Sequence, residues 1–300
     1  MNTTLLKKNL LLLLTAIIWG VAFVAQSAGM EFIGPFTFTS LRNFLGALVL
    51  LPVIWIRRQK LAPAERAQRA SSRRFLWLGG LVCGAALAAA SCLQQIGIQY
   101  TTTGKAGFIT ALYIILVPLL GLLFKRRVSF LLWISIVLSV AGMYLLCLTG
   151  SSRLELADIL LLLSALGFAV QILCIDFFAP RVDAIELSCL QFFFSGVICA
   201  FPMLFIERPS WTQIAAGWLP LLYAGLLSSG VGYTLQVVGQ KNNNPTVASL
   251  IMSLEAVVSV IAGWLLLKQV LSLPELCGCG LMLVAVVLAQ LSARPRSSEA

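Results

Sequence analysis

Apolar residues in this chain come in long blocks, not in the strict alternation of strands. Blocks of about 20 residues, the length a helix needs to cross a bilayer, recur near 10–28, 36–56, 75–96, 104–124, 130–149, 156–175, 186–206, 217–238, 246–267 and 274–292. Each predicts a transmembrane helix. The longest polar break, RRQKLAPAERAQRASSRR at 57–74, is basic and too poor in apolar residues to fold alone. The pattern therefore predicts an all-α polytopic membrane protein of ten spans, with no room for a soluble domain. Lys7 and Lys8 ahead of LLLLLTAIIWG, with Ala25 and Ser27 behind, imitate a secretory signal. Trp19 and Gln26 inside the block, and nine further blocks after it, favour a retained first helix.

Composition agrees with that pattern, and charge adds an orientation. Hydrophobic residues make up 60% of the 300 and charged residues 11%, against about 45–50% and 25% in soluble domains. With the N-terminus inside, the cytoplasmic segments hold Lys7, Lys8, the basic residues of 57–74, Lys125 to Arg127, Arg181, Lys241, Arg294 and Arg296. The opposite side holds only Lys105, Arg153, Arg208 and Lys268. Loops rich in Lys and Arg stay in the cytoplasm, so both termini are expected there, in the bacterial plasma (inner) membrane. The net charge of +10 is thereby a topology signal and implies no nucleic-acid partner; the basic loop suits anionic membrane lipids.

The chain also repeats itself. LQQIGIQYTTTGKAGFITALYIILVPLLGLLFKR from Leu93 aligns with LQVVGQKNNNPTVASLIMSLEAVVSVIAGWLLLK from Leu235, superposing Gln94 on Gln236, Gly97 on Gly239, Ala106 on Ala248 and Gly121 on Gly263. An odd number of spans in each half makes the second half enter the membrane upside down, which is an inverted-topology repeat with its substrate site near the midplane. The phrases YTTTGKAGFITALYIILVPLLG and LIMSLEAVVSVIAGWLLLKQVLSLPELCG resemble the EamA units of the drug/metabolite transporter superfamily, from about Leu10 to Leu291. That resemblance implies two EamA repeats, 1–150 and 151–300, and a secondary transporter of small metabolites, amino acids, amines or related solutes, often an exporter. One departure stands out: after the ninth span the family pattern has a Gly-Glu pair followed by Leu, where this chain has Lys268–Gln269–Val270. No role attached to that acid carries over.

Within the ninth span, LIMSLEAVVSV places a carboxyl, Glu255, among apolar residues. An ionised side chain at mid-bilayer costs about 2.5–3.5 kcal/mol on insertion scales, so intramembrane acids point first to function. On a continuous helix Ser249, Ser253, Ala256 and Gly263 form a small-residue stripe suited to close helix contact, and Glu255 lies about 120° away from it. The fourth span repeats the layout with Gly107, Ala111 and Gly121, and Tyr113 stands where Glu255 stands. The pair is the expected polar core of a central cavity, for substrate or a coupling proton; the alternative is a protonated Glu255 that only ties helices together.

Other polar groups carry paired readings. Arg42, about two turns into the second span, either snorkels outward or binds an anionic group. Lys105 reads as an interfacial anchor. Gln94 and Gln236 line the path or hydrogen-bond across helices, Trp19 is a cavity wall or ordinary packing, and Gln26 supplies an amide. Gly225, Ser228, Ser229, Gly230 and Gly232 bend the eighth span or let it pack closely; Pro118 kinks the fourth or is tolerated. Cys83, Cys92, Cys147, Cys174, Cys189, Cys199, Cys277 and Cys279 lack metal-site spacing and read as small packers.

There is no histidine, no phosphate loop and no serine elbow, so neither an enzyme nor a cofactor is expected. The expected partners are a small solute, membrane lipids, a coupling ion such as the proton, and a second copy in a homodimer. The competing classes are a lipid-handling scramblase or enzyme and a non-transporting receptor or assembly subunit. Topology is directly testable: reporters fused after Arg66 and after Arg296 are expected to read cytoplasm, and one after Ser151 outside. An outside reading at Arg66 removes the inverted repeat.

Overall fold

The computed structural model describes residues 3–60, 72–101, 103–123, 128–146, 155–267 and 273–292. Arg66, Ser151, Arg296, Cys147 and the segments 125–127 and 268–270 lie outside them. Every regular element among the described residues is helical, as the bilayer demands of a chain that must satisfy its own backbone. In chain order, α1 is Thr3–Gly29, α2 Pro35–Gln59 and α3 Arg73–Ile98. Next come α4a Thr103–Ala111, α4b Tyr113–Leu123, α5 Phe130–Leu146, α6 Leu156–Phe178 and α7 Ala184–Pro202. Then follow α8 Trp218–Gln240, α9a Pro245–Met252, α9b Glu255–Leu267 and α10 Leu273–Ser292.

Eight helices among the described residues, α1 to α4, α6 to α8 and α9, are long and apolar enough to cross a membrane. The fifth and tenth predicted spans are represented by α5 and α10, whose apolar stretches Phe130–Gly142 and Leu276–Leu288 are shorter. Ten crossings were expected; eight meet that criterion.

Helix pairing is symmetric under exchange of the two halves. The second helices of each half, α2 and α7, pack together, and so do the fifth helices α5 and α10. Contacts of α3 with α6 and α7 are mirrored by those of α8 with α1 and α2. Contacts of α4 with α6 are mirrored by those of α9 with α1. Small residues let the inner helices meet. A Cβ on Gly20 of α1 would come within 2.4 Å of Val258 Cβ and 2.8 Å of the Glu255 carbonyl oxygen. A Cβ on Gly107 of α4a would lie 2.8 Å from Ser259 Oγ.

In the ninth span Ser249, Ser253, Ala256 and Gly263 are buried, and glycines of α1 and α4a approach it at Val258 and Ser259. The span is also not continuous: Ser253 and Leu254 form a turn between α9a and α9b. Ser249, Ser253 and Ser259 each donate to the carbonyl three residues back, at 2.9, 2.8 and 2.8 Å, and such back-bonding bends helices. The fourth span breaks in the same place of its half, at Leu112, whose amide bonds back to Ile109.

In α8 the Gly- and Ser-rich stretch packs closely, with Gly225 and Gly232 against Leu45 and Trp19, and Tyr223–Tyr233 winds as a π-helix. At the other end of α7, Glu207 holds the start of α2 by accepting from the Phe36 amide at 2.8 Å, the Thr37 amide at 2.6 Å and the Thr37 hydroxyl at 2.5 Å. A carboxylate at a helix N-terminus is favourable in itself, and here it fastens one half to the other.

The tight inner contacts predict a response to added volume. Gly20→Val, Ser253→Leu and Ala111→Leu should each cost about 1–3 kcal/mol through overpacking, seen as a lower melting temperature in detergent. Leu14→Ala, on a face 44% exposed, should leave it unchanged. Unaltered melting in all three overpacked variants would mean that these faces meet lipid.

Candidate functional site

Both breaks open on a polar side chain at the same depth. Tyr113 is the first residue of α4b and Glu255 the first of α9b. Each stands ten residues, or about 15 Å by helix rise, from the start of its span at Thr103 or Pro245. Tyr113 and Glu255 are 2% and 3% exposed and lie close enough to interact. The Tyr113 hydroxyl nonetheless has no partner at hydrogen-bonding geometry.

Around this pair closes a cavity of about 20 Å³, room for a water or two. Its wall includes Trp19, Gln26, Arg42, Gln94, Thr110, Tyr113, Gln171, Tyr233, Gln236 and Glu255. All six residues singled out from the sequence, Glu255, Tyr113, Gln94, Gln236, Trp19 and Arg42, therefore meet around one space.

The paired readings resolve as follows. Arg42 does not snorkel: it is 2% exposed and turned inward. Its Nη1 donates to Gln26 Oε1 at 3.2 Å, its guanidinium lies 6.0 Å from the Phe38 ring centroid, and its Nε has no partner. Lys105 is more than an interfacial anchor, for its Nζ lies 2.8 Å from Asp158 Oδ1 and ties α4a to α6. Gln94 both lines the cavity and donates to Thr110 Oγ1 at 3.3 Å. Gln236 both lines it and donates to Gln171 Oε1 at 3.3 Å. Trp19 is wall and packing at once: its indole N–H donates to the Ser228 carbonyl at 3.3 Å, and its ring sits 4.4 Å from that of Tyr233.

Three polar wall residues escaped the sequence reading. Gln171 carried the same signal as Gln94, an amide inside an apolar run, and bridges Gln191 and Gln236. Thr110 and Tyr233 gave no such signal, since Thr and Tyr are common in membrane helices and only the packing turns these two inward. Among the cysteines, Cys277 is exposed and is not an internal packer, whereas Cys83 and Cys199 are buried.

Electrostatically the cavity is unusual. It holds a guanidinium from the first half and a carboxyl from the second, and neither forms an ion pair among the described residues. Buried charges are normally paired. The unpaired Tyr113 hydroxyl and Arg42 Nε add donors that cost about 1–3 kcal/mol each when left unmade. Such a wall is incomplete as a core.

Comparison with known proteins bears on this architecture. The model of the EamA-like transporter family matches residues 6–148 and again 155–291. An uncharacterized transporter of Archaeoglobus fulgidus is 27% identical over 286 residues, spanning 93% of this chain and 84% of its own. The uncharacterized transporter YwfM of Bacillus subtilis is 25% identical, over 97% of this chain and 95% of its own. A solved crystal structure superposes with a TM-score of 0.77 at 17% identity, covering 97% of this chain and 99% of that one; it speaks for the fold.

An uncompensated buried cation predicts a trade between stability and function. Arg42→Gln keeps a donor for Gln26 and removes the charge, and replacing a buried charge is often neutral or stabilising. Thermal unfolding of solute-free protein should thus be unchanged or shifted upward, while binding of carboxylate-bearing solutes falls at least tenfold. A large drop in melting temperature would make Arg42 a structural tie.

Proposed function

Because the chain belongs to the EamA-like transporter family, we propose that it is a secondary transporter moving small zwitterionic or amine-bearing metabolites, amino acids foremost, out of the cell. The observation that carries the reading is a mid-span cavity walled by a guanidinium from one half and a carboxyl from the other, neither of them in an ion pair among the described residues. Arg42 with Gln26 would take a carboxylate in charge-assisted hydrogen bonds. Glu255 with Tyr113 would take the ammonium, and Trp19 with Phe168 would bound the apolar part. A solute without charged groups would leave both charges unmatched.

In this reading ten spans form two inverted halves, residues 1–150 and 151–300, in the bacterial inner membrane with both termini cytoplasmic. The halves rock about the cavity and expose it to one side at a time. The symmetric helix pairing and the matched breaks at Leu112 and Ser253–Leu254 support such a motion. The breaks leave half-helices that reorient without unwinding a full span. Glu255 is the natural coupling group, because a carboxyl released by the solute's ammonium can take a proton for the return.

The test has two parts. Radiolabelled amino acids and amines are screened for movement in inverted vesicles. Glu255→Gln is then compared with the parent across imposed pH gradients. Gln keeps the shape and hydrogen bonding but cannot ionise. The variant should insert and fold normally, keep residual binding and lose the pH dependence of transport, whereas Tyr113→Phe should mainly weaken binding. Parent-like pH dependence in Glu255→Gln would remove the coupling role.

A further inference from the structure

Two thiols from opposite halves meet near one rim of the bundle. Cys92 of α3 and Cys199 of α7 stand with their Sγ atoms 3.3 Å apart, so the step to the roughly 2.05 Å of a disulfide bond is short. The helices behind them hold this register. A Cβ on Gly80 of α3 would come within 2.5 Å of Leu190 Cβ, and one on Gly84 within 2.8 Å of the Gln191 carbonyl oxygen. Gly84 and Cys92 each stand 107 residues before the α7 residue they meet. The two helices therefore run parallel and close, and the thiols lie about 12 Å further along the same seam. α7 is in turn fixed against α2, because Asn43 Nδ2 donates to Ser195 Oγ at 2.9 Å and Ser40 Oγ donates to the Gly196 carbonyl at 3.0 Å. Cys199 has little freedom to turn away.

Position gives the pair both an oxidant and a consequence. Cys92 lies six residues before the end of α3 at Ile98, and Cys199 three before the end of α7 at Pro202. This is the rim at which Glu207 holds the start of α2. In the proposed topology it faces outward, away from the cytoplasmic thiols that keep cysteines reduced. Cys199 is 1% exposed, whereas Cys92 is only half-buried and open to a small uncharged oxidant. Inward from the thiols lie Gln94, on the cavity wall two residues from Cys92, and Gln191, whose Oε1 accepts from the wall residue Gln171 at 3.3 Å.

We propose that Cys92 and Cys199 form an oxidative modification site, at which a hydroperoxide converts the thiol pair to a disulfide that joins the two halves and slows transport. The Cys92 sulfur attacks the peroxide: an S–O bond forms, the O–O bond breaks, and the departing oxygen leaves as water with the thiol proton. The Cys199 sulfur then attacks the resulting sulfenic acid. An S–S bond forms, the S–O bond breaks, and the hydroxyl leaves as water with the second thiol proton. Each sulfur gives up one electron, and both peroxide oxygens end as water. A dithiol reverses the change. The central cavity of about 20 Å³ has to widen to take in an amino acid, and a covalent bond across the α3–α7 seam restrains that widening. The effect on transport rests on the transport reading; the modification is tested without it.

Membrane vesicles holding the full chain are treated with hydrogen peroxide, the remaining thiols are alkylated, and the cysteine peptides are read by mass spectrometry, with fragment ions assigning each link. A Cys92–Cys199 disulfide should form, both thiols should be lost at least tenfold faster than the buried Cys83, and dithiothreitol should restore them. That reading needs no variant. In Cys199→Ser, dimedone should trap a sulfenic acid at Cys92, whereas Cys92→Ser should leave Cys199 unmodified; two cysteines that only pack predict no such asymmetry. Movement of a radiolabelled amino-acid mixture should fall at least threefold in the oxidised parent, recover with dithiothreitol, and be indifferent to peroxide in Cys92→Ser. Thiols that stay free at peroxide levels oxidising the exposed Cys277 would overturn the site. A linked protein that moves the mixture as fast as the reduced one would overturn the control of transport. Absence of transport in the reduced parent would instead refute the proposed function and leave the modification site standing.

Discussion

Hydrocarbon offers the backbone no hydrogen-bond partner, so every peptide group in a span has to be satisfied within its own helix or against another part of the protein. That constraint makes this chain helical throughout its described residues and also limits where a helix can be interrupted. Irregular turns survive only where protein or an internal cavity surrounds them. Both interruptions of the spans, at Leu112 and at Ser253–Leu254, fall on the inner helices α4 and α9, where Ala111, Ser253 and Leu254 are buried. The position of each break thereby fixes the position of the site, because the residue that restarts each helix is the one that faces the cavity.

Stability and chemistry pull against each other at that point. A core optimised for packing would have no Glu255, no Arg42 and no unpaired tyrosine hydroxyl. Surrounding helices compensate with close contacts such as Gly20 on Val258 and Gly107 on Ser259, and with ties between elements such as Lys105 to Asp158 and Glu207 to the start of α2. Those ties lie toward the helix ends and leave the middle free of salt bridges among the described residues. The result is a scaffold fastened at its rims around a polar centre.

Symmetry sets two unlike residues at equivalent positions. The helix pairing of one half is repeated in the other, yet the equivalent positions hold a phenol and a carboxyl, and only the first half supplies Arg42. The pseudo-symmetric helix pairing therefore encloses a cavity of asymmetric charge.

Much of this was written in the sequence. Block hydropathy placed the helices within a few residues, apart from the start of α1 at Thr3, because the cost of a polar group in lipid acts residue by residue and needs no tertiary information. The same cost made Glu255, Arg42, Gln94 and Gln236 conspicuous, and the 142-residue register tied Tyr113 to Glu255. What the sequence could not determine was direction and continuity. Whether Arg42 points outward or inward depends on Gln26 and Phe38 from neighbouring turns and helices. Whether the ninth span is one helix or two depends on serine back-bonds and on the room left by Gly20 and Gly107. Thr110, Gln171 and Tyr233 reached the cavity wall only when helices distant in sequence were packed against one another. Burial energy is read from single residues, but a cavity is a property of the surfaces that fail to meet.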